Sequence, residues 1–262
     1  MIIMSNIVSP IQIQATVTCS THVAEGIYLV ELESPQIAAK ARPGQFAMLK
    51  CGGGAFLRRP LGIHRVSGDR TKVSFLFAVV GKGTEWLSEI RAGDTVDILG
   101  PLGNGFTIDS CSKSVLLVAG GLGIAPLVFL AEEAQASGLS VNLAYGTAGA
   151  ARYDKALLPG VARLLEYTDD GSYGRQGLVT QCIPEFIGDV GQIFACGPLP
   201  MYRGLAKHDL AGIPVQVSLE TRMACGLGVC YGCGIKTKSG LRQVCNDGPV
   251  FDMDEVVWDE LR

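Results

Sequence analysis

Cys225, Cys230, Cys233 and Cys245 stand in the spacing C-x4-C-x2-C-x11-C, in the segment Cys225-Gly-Leu-Gly-Val-Cys-Tyr-Gly-Cys-Gly. The C-x4-C-x2-C…C arrangement is the plant-type pattern in which four thiolates hold a 2Fe–2S cluster. Such a cluster passes single electrons, so the pattern predicts a protein that moves charge between two other centres. A disulfide framework fits poorly, because nine cysteines is an odd number and the opening Met1-Ile-Ile-Met-Ser has neither a basic n-region nor a cleavage site. Zinc is the stronger rival, since four thiolates also suit a tetrahedral ion. Zinc ribbons, however, pair two separated knuckles, whereas here three ligands share one loop and the fourth stands apart. Gly226, Gly228, Gly232 and Gly234 favour the cluster: they let the backbone wrap closely and turn N–H groups toward sulfur. Cys19, Cys51, Cys111 and Cys182 have no ligand spacing, and each reads as a small buried hydrophobe.

Two further segments carry nucleotide chemistry. Gly120-Gly121-Leu122-Gly123-Ile124-Ala125-Pro126 follows an apolar strand and opens a helix. Glycines there admit a phosphate close to the backbone, and a helix N-terminus offers it unpaired N–H groups. Pro126 stands where the usual fingerprint has its third glycine, and proline is tolerated in a first helical turn. Phe194-Ala195-Cys196-Gly197-Pro198 repeats the pattern at a second strand end. Ligands bind outside the carboxyl ends of strands in an open parallel sheet, so Cys196, Gly197 and Pro198 are assigned to the nicotinamide side with Gly120, Gly121, Gly123 and Pro126. Asp169, in Thr168-Asp-Asp-Gly-Ser172, either caps a turn with its side chain or offers a carboxylate to ribose hydroxyls. The choice between NAD and NADP stays open. Arg58-Arg59-Pro60-Leu61 and Gly81-Lys-Gly-Thr84 suggest a second, bulkier dinucleotide, with Arg59 as a bidentate phosphate contact.

The elements that must position these groups fall into three segments. From 8 to 107, short strands at Ile11–Thr18, Gly26–Leu32, Gln45–Lys50, Val73–Val80 and Thr95–Leu99, separated by Gly, Pro and Asp turns, predict an antiparallel β-barrel. From 108 to 214, strands at Val115–Ala119, Val141–Tyr145 and Ile193–Cys196 with helical patterns after each predict an α/β domain with a parallel sheet. The first of its helices is expected over Ala125–Ala136, with Leu127, Leu130, Ala131 and Ala134 as its apolar stripe and Gly138 as terminator. The remainder, 215 to 262, holds the cysteine loop. With 48% hydrophobic and 18% charged residues, the 262-residue chain has apolar material for more than one core. A net charge of −3 gives no basic surface for nucleic acid or an anionic membrane. Apolar runs stay far below the roughly 18 residues of a membrane span. Many thiols and no export signal fit a reducing cytoplasm.

Taken in order, Arg58-Arg-Pro-Leu61, Gly81-Lys-Gly-Thr84, Gly100-Pro-Leu-Gly-Asn-Gly-Phe106, Thr168-Asp-Asp-Gly-Ser172 and Glu220-Thr-Arg-Met-Ala-Cys-Gly-Leu-Gly-Val-Cys-Tyr-Gly-Cys233 carry a resemblance along nearly the whole chain. The chain resembles the ferredoxin–NADP reductase superfamily, and within it the electron-transfer subunits of type B dihydroorotate dehydrogenases. The resemblance implies FAD held by Arg59, Pro60, Leu61, Gly62, Leu76, Phe77, Ala78, Gly83 and Thr84, and a 2Fe–2S cluster held by Cys225, Cys230, Cys233 and Cys245. Gly62 replaces the serine usual in the family, which removes a hydroxyl contact. The resemblance further implies NAD as acceptor, an FMN-containing catalytic subunit as partner in a heterotetramer of two copies each, and a role in pyrimidine biosynthesis. Flavin/iron–sulfur subunits serving ferredoxin:NADP oxidoreductase, sulfide dehydrogenase, hydrogenase or sulfite reductase are the nearest alternative. A zinc-binding interaction module is the alternative from another class.

Overall fold

The computed structural model describes residues 9–52, 54–150 and 153–261. The opening Met1–Ser5, residue 8 at the start of the first segment and residue 262 at the end of the last lie outside the described residues.

The first sheet is built from β1 (Ile11–Ala24), β2 (Ile27–Glu33), β3 (Phe46–Leu49), β4 (Arg59–Gly62), β5 (Arg65–Val66), β6 (Lys72–Ala78) and β7 (Thr95–Leu102), with helices α1 (Pro35–Ala38) and α2 (Lys82–Glu89) between strands. Its order is β4-β3-β7-β1-β2-β6-β5, antiparallel throughout. Period-two alternation in β1 turns Ala15 and Val17 inward and Gln12 and Gln14 outward, as a half-buried strand requires. The two edge strands are consecutive in the chain. Ile63 donates its N–H to Gln45 O (2.9 Å) and His64 donates to Ser74 O (2.8 Å), so residues 62–65 tie the edges together and curl the sheet into a barrel. Val30, Leu32, Ile37, Phe75, Leu87 and Ile98 fill its interior.

The second sheet starts in its own middle. β8 (Ser114–Gly120) leads into α3 (Ile124–Ala136), and β9 (Ser140–Thr147), β10 (Arg163–Thr168) and β11 (Arg175–Gln176) extend the sheet to one side. The chain then returns to the other flank of β8 with β12 (Gln192–Cys196), α4 (Leu199–Leu205) and β13 (Val215–Ser218), all parallel. This reversal of strand order creates a crevice at the carboxyl ends of β8 and β12. Beyond it, β14 (Gly234–Thr237) and β15 (Gly240–Gln243) form a hairpin, and β16 (Val250–Asp252) adds an antiparallel edge to β13.

Three elements differ from expectation. α3 is buried from Ile124 through Ala131 and again at Ala134, not along one stripe, because it is sandwiched between the parallel sheet and the barrel; Phe129 joins the barrel core. No α-helix follows β9 among the described residues. Gly149 disfavours a helix just after Thr147, and the chain makes only a short 3-10 turn at Lys155–Leu157 before Pro159-Gly160. Cys19 and Cys111 are exposed, whereas Cys51 and Cys182 are buried as expected; Cys19 points outward from β1 and Cys111 lies in a turn.

The barrel grips α3 through a buried side chain. His64 Nδ1 lies 2.9 Å from Ala125 O and Nε2 lies 3.0 Å from the Tyr153 hydroxyl. Beside it, Arg65 Nε pairs with Glu132 of α3 at 2.8 Å. Desolvation by burial lowers the His64 pKa to about 4 from 6.5; the Ala125 carbonyl opposes the shift and the Arg65 charge adds to it. The unfolded chain therefore takes up the proton first. This contribution to stability is complete above pH 6.5 and is lost as pH falls toward 4. The expected loss from this group between pH 7 and pH 5 is about 2 kcal/mol. Urea unfolding at the two pH values checks it: His64→Gln should lose correspondingly less stability on acidification, and an equal loss in both proteins contradicts the assignment.

Candidate functional site

A cavity of about 340 Å3 opens between barrel and parallel sheet. Arg59, Pro60, Leu61, Gly62, Leu76, Phe77, Ala78 and Thr84 line it from the barrel side. The two neighbouring arginines have different tasks. Arg58 makes a bidentate pair with Asp97 (3.0 Å to each carboxylate oxygen), which pins the loop before β4 to β7. Arg59 faces the cavity and spends one hydrogen bond on the Leu57 carbonyl (2.5 Å). Gly83 lies beneath the Arg59 side chain: a Cβ there would stand 2.6 Å from Arg59 Nε, so glycine gives the guanidinium its seat. The Thr84 hydroxyl accepts the Val80 N–H (2.9 Å) and donates to Gly81 O (3.0 Å), so its hydrogen-bonding capacity shapes the turn into α2. The arrangement of an arginine over a glycine-started helix suits a diphosphate.

Pro126 and Ala125 of α3 close the opposite side of this cavity, with Cys196 at its back. Cys196 is 2% exposed. Desolvation, and next the Glu220 charge, push its thiol well above the ordinary range, against hydrogen bonding with Tyr202 and Ser218. Burial therefore favours the neutral thiol, and Cys196 lines the first cavity while its neighbours Gly197 and Pro198 line the second.

The second cavity, about 540 Å3, lies at the crevice where strand order reverses. Gly120, Gly121, Gly123, Asp169, Gly197 and Pro198 line it, while Pro126 lies on the first cavity instead. Gly123 is required by contact, since a Cβ would fall 1.9 Å from the Cys196 carbonyl oxygen. The two alternatives for the 168–172 turn divide between neighbouring residues. Asp170 accepts the Ser172 N–H (2.9 Å), and its hydrogen bonds with Ser172 lower its pKa. Asp169 lines the cavity. Among the described residues the charged side chains lining this cavity are the carboxylates of Asp169 and Glu220.

Leu122 and Glu220 line both cavities, and neither was singled out from sequence. Glu220 follows β13 at the mouth between them, and desolvation raises its carboxyl above the ordinary range. It heads the Glu220–Cys233 motif in the sequence, but only its place in three dimensions shows that it faces both cavities. Phe46 and Met223 also line the first cavity.

Met223 stands two residues before Cys225, so the cysteine loop begins on the cavity wall. Positive φ at Gly226 (71°) and Gly228 (76°) folds the loop back so that N–H groups face sulfur. Leu227 donates to Cys225 Sγ (3.4 Å), Gly228 to Cys245 Sγ (3.2 Å), Gly232 to Cys230 Sγ (3.4 Å) and Cys245 to Cys233 Sγ (3.4 Å). The thiols contact one another as Cys225 with Cys230 and Cys233 with Cys245. Among the described residues no three His, Cys, Asp or Glu side chains gather around one ion position. Two thiol pairs, each supplied with N–H donors, fit the four-thiolate ligation of two irons. Burial raises the Cys225 pKa, but the N–H groups of Leu227, Cys230 and Val229 outweigh it and bring the thiol to about 6, favouring thiolate. Cys233 and Cys245 are buried against Met48 of β3, whereas Cys230 is exposed beside Leu227, Val229 and Tyr231.

Comparison with known proteins agrees with this geometry. Residues 220–257 match the family model for the iron-sulfur cluster binding domain of dihydroorotate dehydrogenase B. The dihydroorotate dehydrogenase B (NAD(+)) electron transfer subunit of Caldanaerobacter subterraneus subsp. tengcongensis is 37% identical over 252 residues, spanning 94% of this chain and 99% of that protein. The subunit of the same description from Clostridium acetobutylicum is 37% identical over 241 residues, 91% of this chain and 94% of its own. A solved structure of NADH-dependent reduced ferredoxin-NADP oxidoreductase superposes with a TM-score of 0.81 at 31% identity, over 95% of this chain and 91% of that one. Phthalate dioxygenase reductase shares the fold, with a TM-score of 0.62 at 19% identity over 87% of each chain.

The carboxylate of Asp169 should contribute to discrimination between pyridine nucleotides. Asp169→Ala is expected to raise KM for NADH and lower KM for NADPH, shifting the kcat/KM ratio about tenfold toward NADPH, as removal of a like-charge clash does. Steady-state reduction of a dye by each nucleotide measures it, and an unchanged ratio contradicts the assigned position.

Proposed function

This chain belongs to the family of dihydroorotate dehydrogenase B electron transfer subunits, and from that premise we propose how its residues serve the transfer. The function is to pass electrons from a catalytic subunit to NAD+ in the synthesis of pyrimidines. The observation that carries the proposal is the meeting of three parts at one place. The first cavity shares Leu122 and Glu220 with the second, and Met223 leads from its wall directly to Cys225.

When bound, FAD supplies exchange between the two-electron hydride chemistry of nicotinamide and the one-electron chemistry of a 2Fe–2S cluster. Arg59 would neutralise its diphosphate, and Pro60, Leu61, Gly62 and Leu76 to Ala78 would form the wall beneath it. Gly62 would contribute backbone and space. Gly120 to Gly123, Gly197 and Pro198 would hold the NAD diphosphate at the strand ends, with Asp169 toward the ribose. Leu122, shared by both cavities, would exclude water where the two ligands face each other. Cys225, Cys230, Cys233 and Cys245 would hold the irons, and the N–H groups directed at their sulfurs would stabilise added negative charge.

The exposed Leu227, Val229 and Tyr231 around Cys230 form an apolar collar suited to burial against the FMN-containing catalytic subunit, in a heterotetramer of two copies each. No described helix is long and apolar enough to cross a membrane. Nine unpaired cysteines favour a cytoplasmic location. Functionally, residues 8–107 would serve FAD, 108–214 NAD, and 215–262 the cluster, although β13 and β16 of the last segment complete the parallel sheet.

Mixing the chain with a type B catalytic subunit should produce dihydroorotate-dependent NADH formation. No stimulation over the separate proteins overturns the assignment and favours a ferredoxin:NADP oxidoreductase-type partner, consistent with the 31% identical solved structure. Flavin and cluster absorption separate either outcome from a zinc module.

Cys230→Ser should abolish cluster absorption and transfer to the partner while sparing NADH-to-dye activity. Loss of both activities with flavin retained contradicts the order of carriers.

A further inference from the structure

We propose that His64 is a positioning residue for hydride exchange: its imidazole sets the spacing between the flavin wall and the nicotinamide loop. This rests on the flavin and NAD assignment above. His64 lies two residues after β4, the strand whose Arg59, Pro60, Leu61 and Gly62 line the first cavity. Its side chain crosses to α3, where Ala125 and Pro126 line the opposite side of that cavity. One turn upstream, Gly120 to Gly123 line the second cavity. A single ring therefore connects both walls of one ligand site to the loop that holds the other.

The hydrogen bonds determine the ring's state. The Ala125 carbonyl can only accept, so Nδ1 carries the proton and donates across 2.9 Å. Nε2 is then the acceptor for the Tyr153 hydroxyl at 3.0 Å. Tyr153 meets the ring edge-on, with centroids 5.5 Å apart, and its own N–H donates to the Tyr145 hydroxyl on β9 (3.1 Å). His64 is 1% exposed. Phe129 of α3 packs into the barrel core without a directional bond, and the other polar contacts from the barrel to α3 are Arg65 to Glu132 (2.8 Å) and Arg70 to Glu133 (3.3 Å), both partly solvated. Such pairs are weak and salt-screened, so among the polar contacts the buried histidine is the stiff, directional one. Hydride exchange depends steeply on separation, and an error of about 1 Å costs on the order of a hundredfold in rate. Simple packing would also bury a histidine here, but it would not tie the ring to the spectroscopy of the two ligands.

The test uses the full chain loaded with FAD and mixed anaerobically with NADH in a stopped-flow instrument. The parent protein must first show flavin reduction and a long-wavelength nicotinamide–flavin charge-transfer band. If it does not, the flavin and NAD assignment fails, independently of His64. His64→Phe keeps a ring of similar size and removes both hydrogen bonds. Flavin content and NADH Kd should stay near parental values, while the flavin reduction rate falls about tenfold or more and the charge-transfer band weakens in parallel. His64→Gln, whose amide can still donate to Ala125 O, should recover part of both. A parental rate and band in flavin-loaded His64→Phe overturn the proposal, as does a rate loss explained wholly by weaker NADH binding. If His64→Phe does not retain flavin, Tyr153→Phe decides: a weaker band and slower reduction support the proposal, and parental values overturn it.

Discussion

Gly123 stands where no side chain fits, with the Cys196 carbonyl oxygen 1.9 Å from the place its Cβ would occupy. That close approach brings together the ends of two adjacent parallel strands, β8 and β12, at the point where strand order reverses. The nucleotide loop, the first turn of α3 and the Cys196-Gly197-Pro198 turn all take their positions from it. A methyl group there would separate the strand ends or expel the loop, and both ligand cavities would change together, because Leu122 belongs to each.

From that junction α3 runs between two hydrophobic layers, and this is why it is buried on nearly every side. The barrel touches it through Phe129 in the core and through His64, Arg65 and Arg70 at the rim. Rigid placement matters more here than affinity. Under the proposed function two dinucleotides would face each other across a short gap, with water kept from the space between them. The apolar cavity wall would serve the second of these requirements and the buried histidine, as proposed, the first.

The cysteine loop is held from both sides. Gly226 packs against Met48 of β3, whose neighbour on the same face, Phe46, lines the first cavity. Asn104, just after β7, donates to the carbonyls of Asn246 and Asp247 beside Cys245, and β16 pairs with β13. The last segment therefore packs as one core with the barrel and the parallel sheet. The short covalent run from Met223, on the wall of the first cavity, to Cys225 leaves only Ala224 between the wall and the cysteine loop.

Spacing and local chemistry made much of this legible in the chain itself. Four cysteines at fixed intervals, glycines after an apolar strand and period-two alternation in β1 are short-range patterns; the last forms a barrel strand, the cysteines fall within the matched iron-sulfur binding domain, and the glycines line the second cavity. The helix over 125–136 was legible for the same reason, including its stop at Gly138, which adopts φ 82°. Other features depend on neighbours distant in sequence. Arg58 and Arg59 look alike as letters, and only Asp97, 39 positions from Arg58, separates a structural ion pair from a cavity-facing guanidinium. Thr84 turns its hydroxyl back on its own loop, Asp170 takes the turn and leaves Asp169 to the cavity, and α3 lies between two layers instead of on one. Glu220 opens the cysteine motif without any spacing that tells its role, and His64 belongs to no motif. Ligand type and spacing are local, so the candidate chemistry could be read from the order of residues. Tertiary structure alone decided which groups face one another, since burial and partners belong to the packed chain and not to any segment of it.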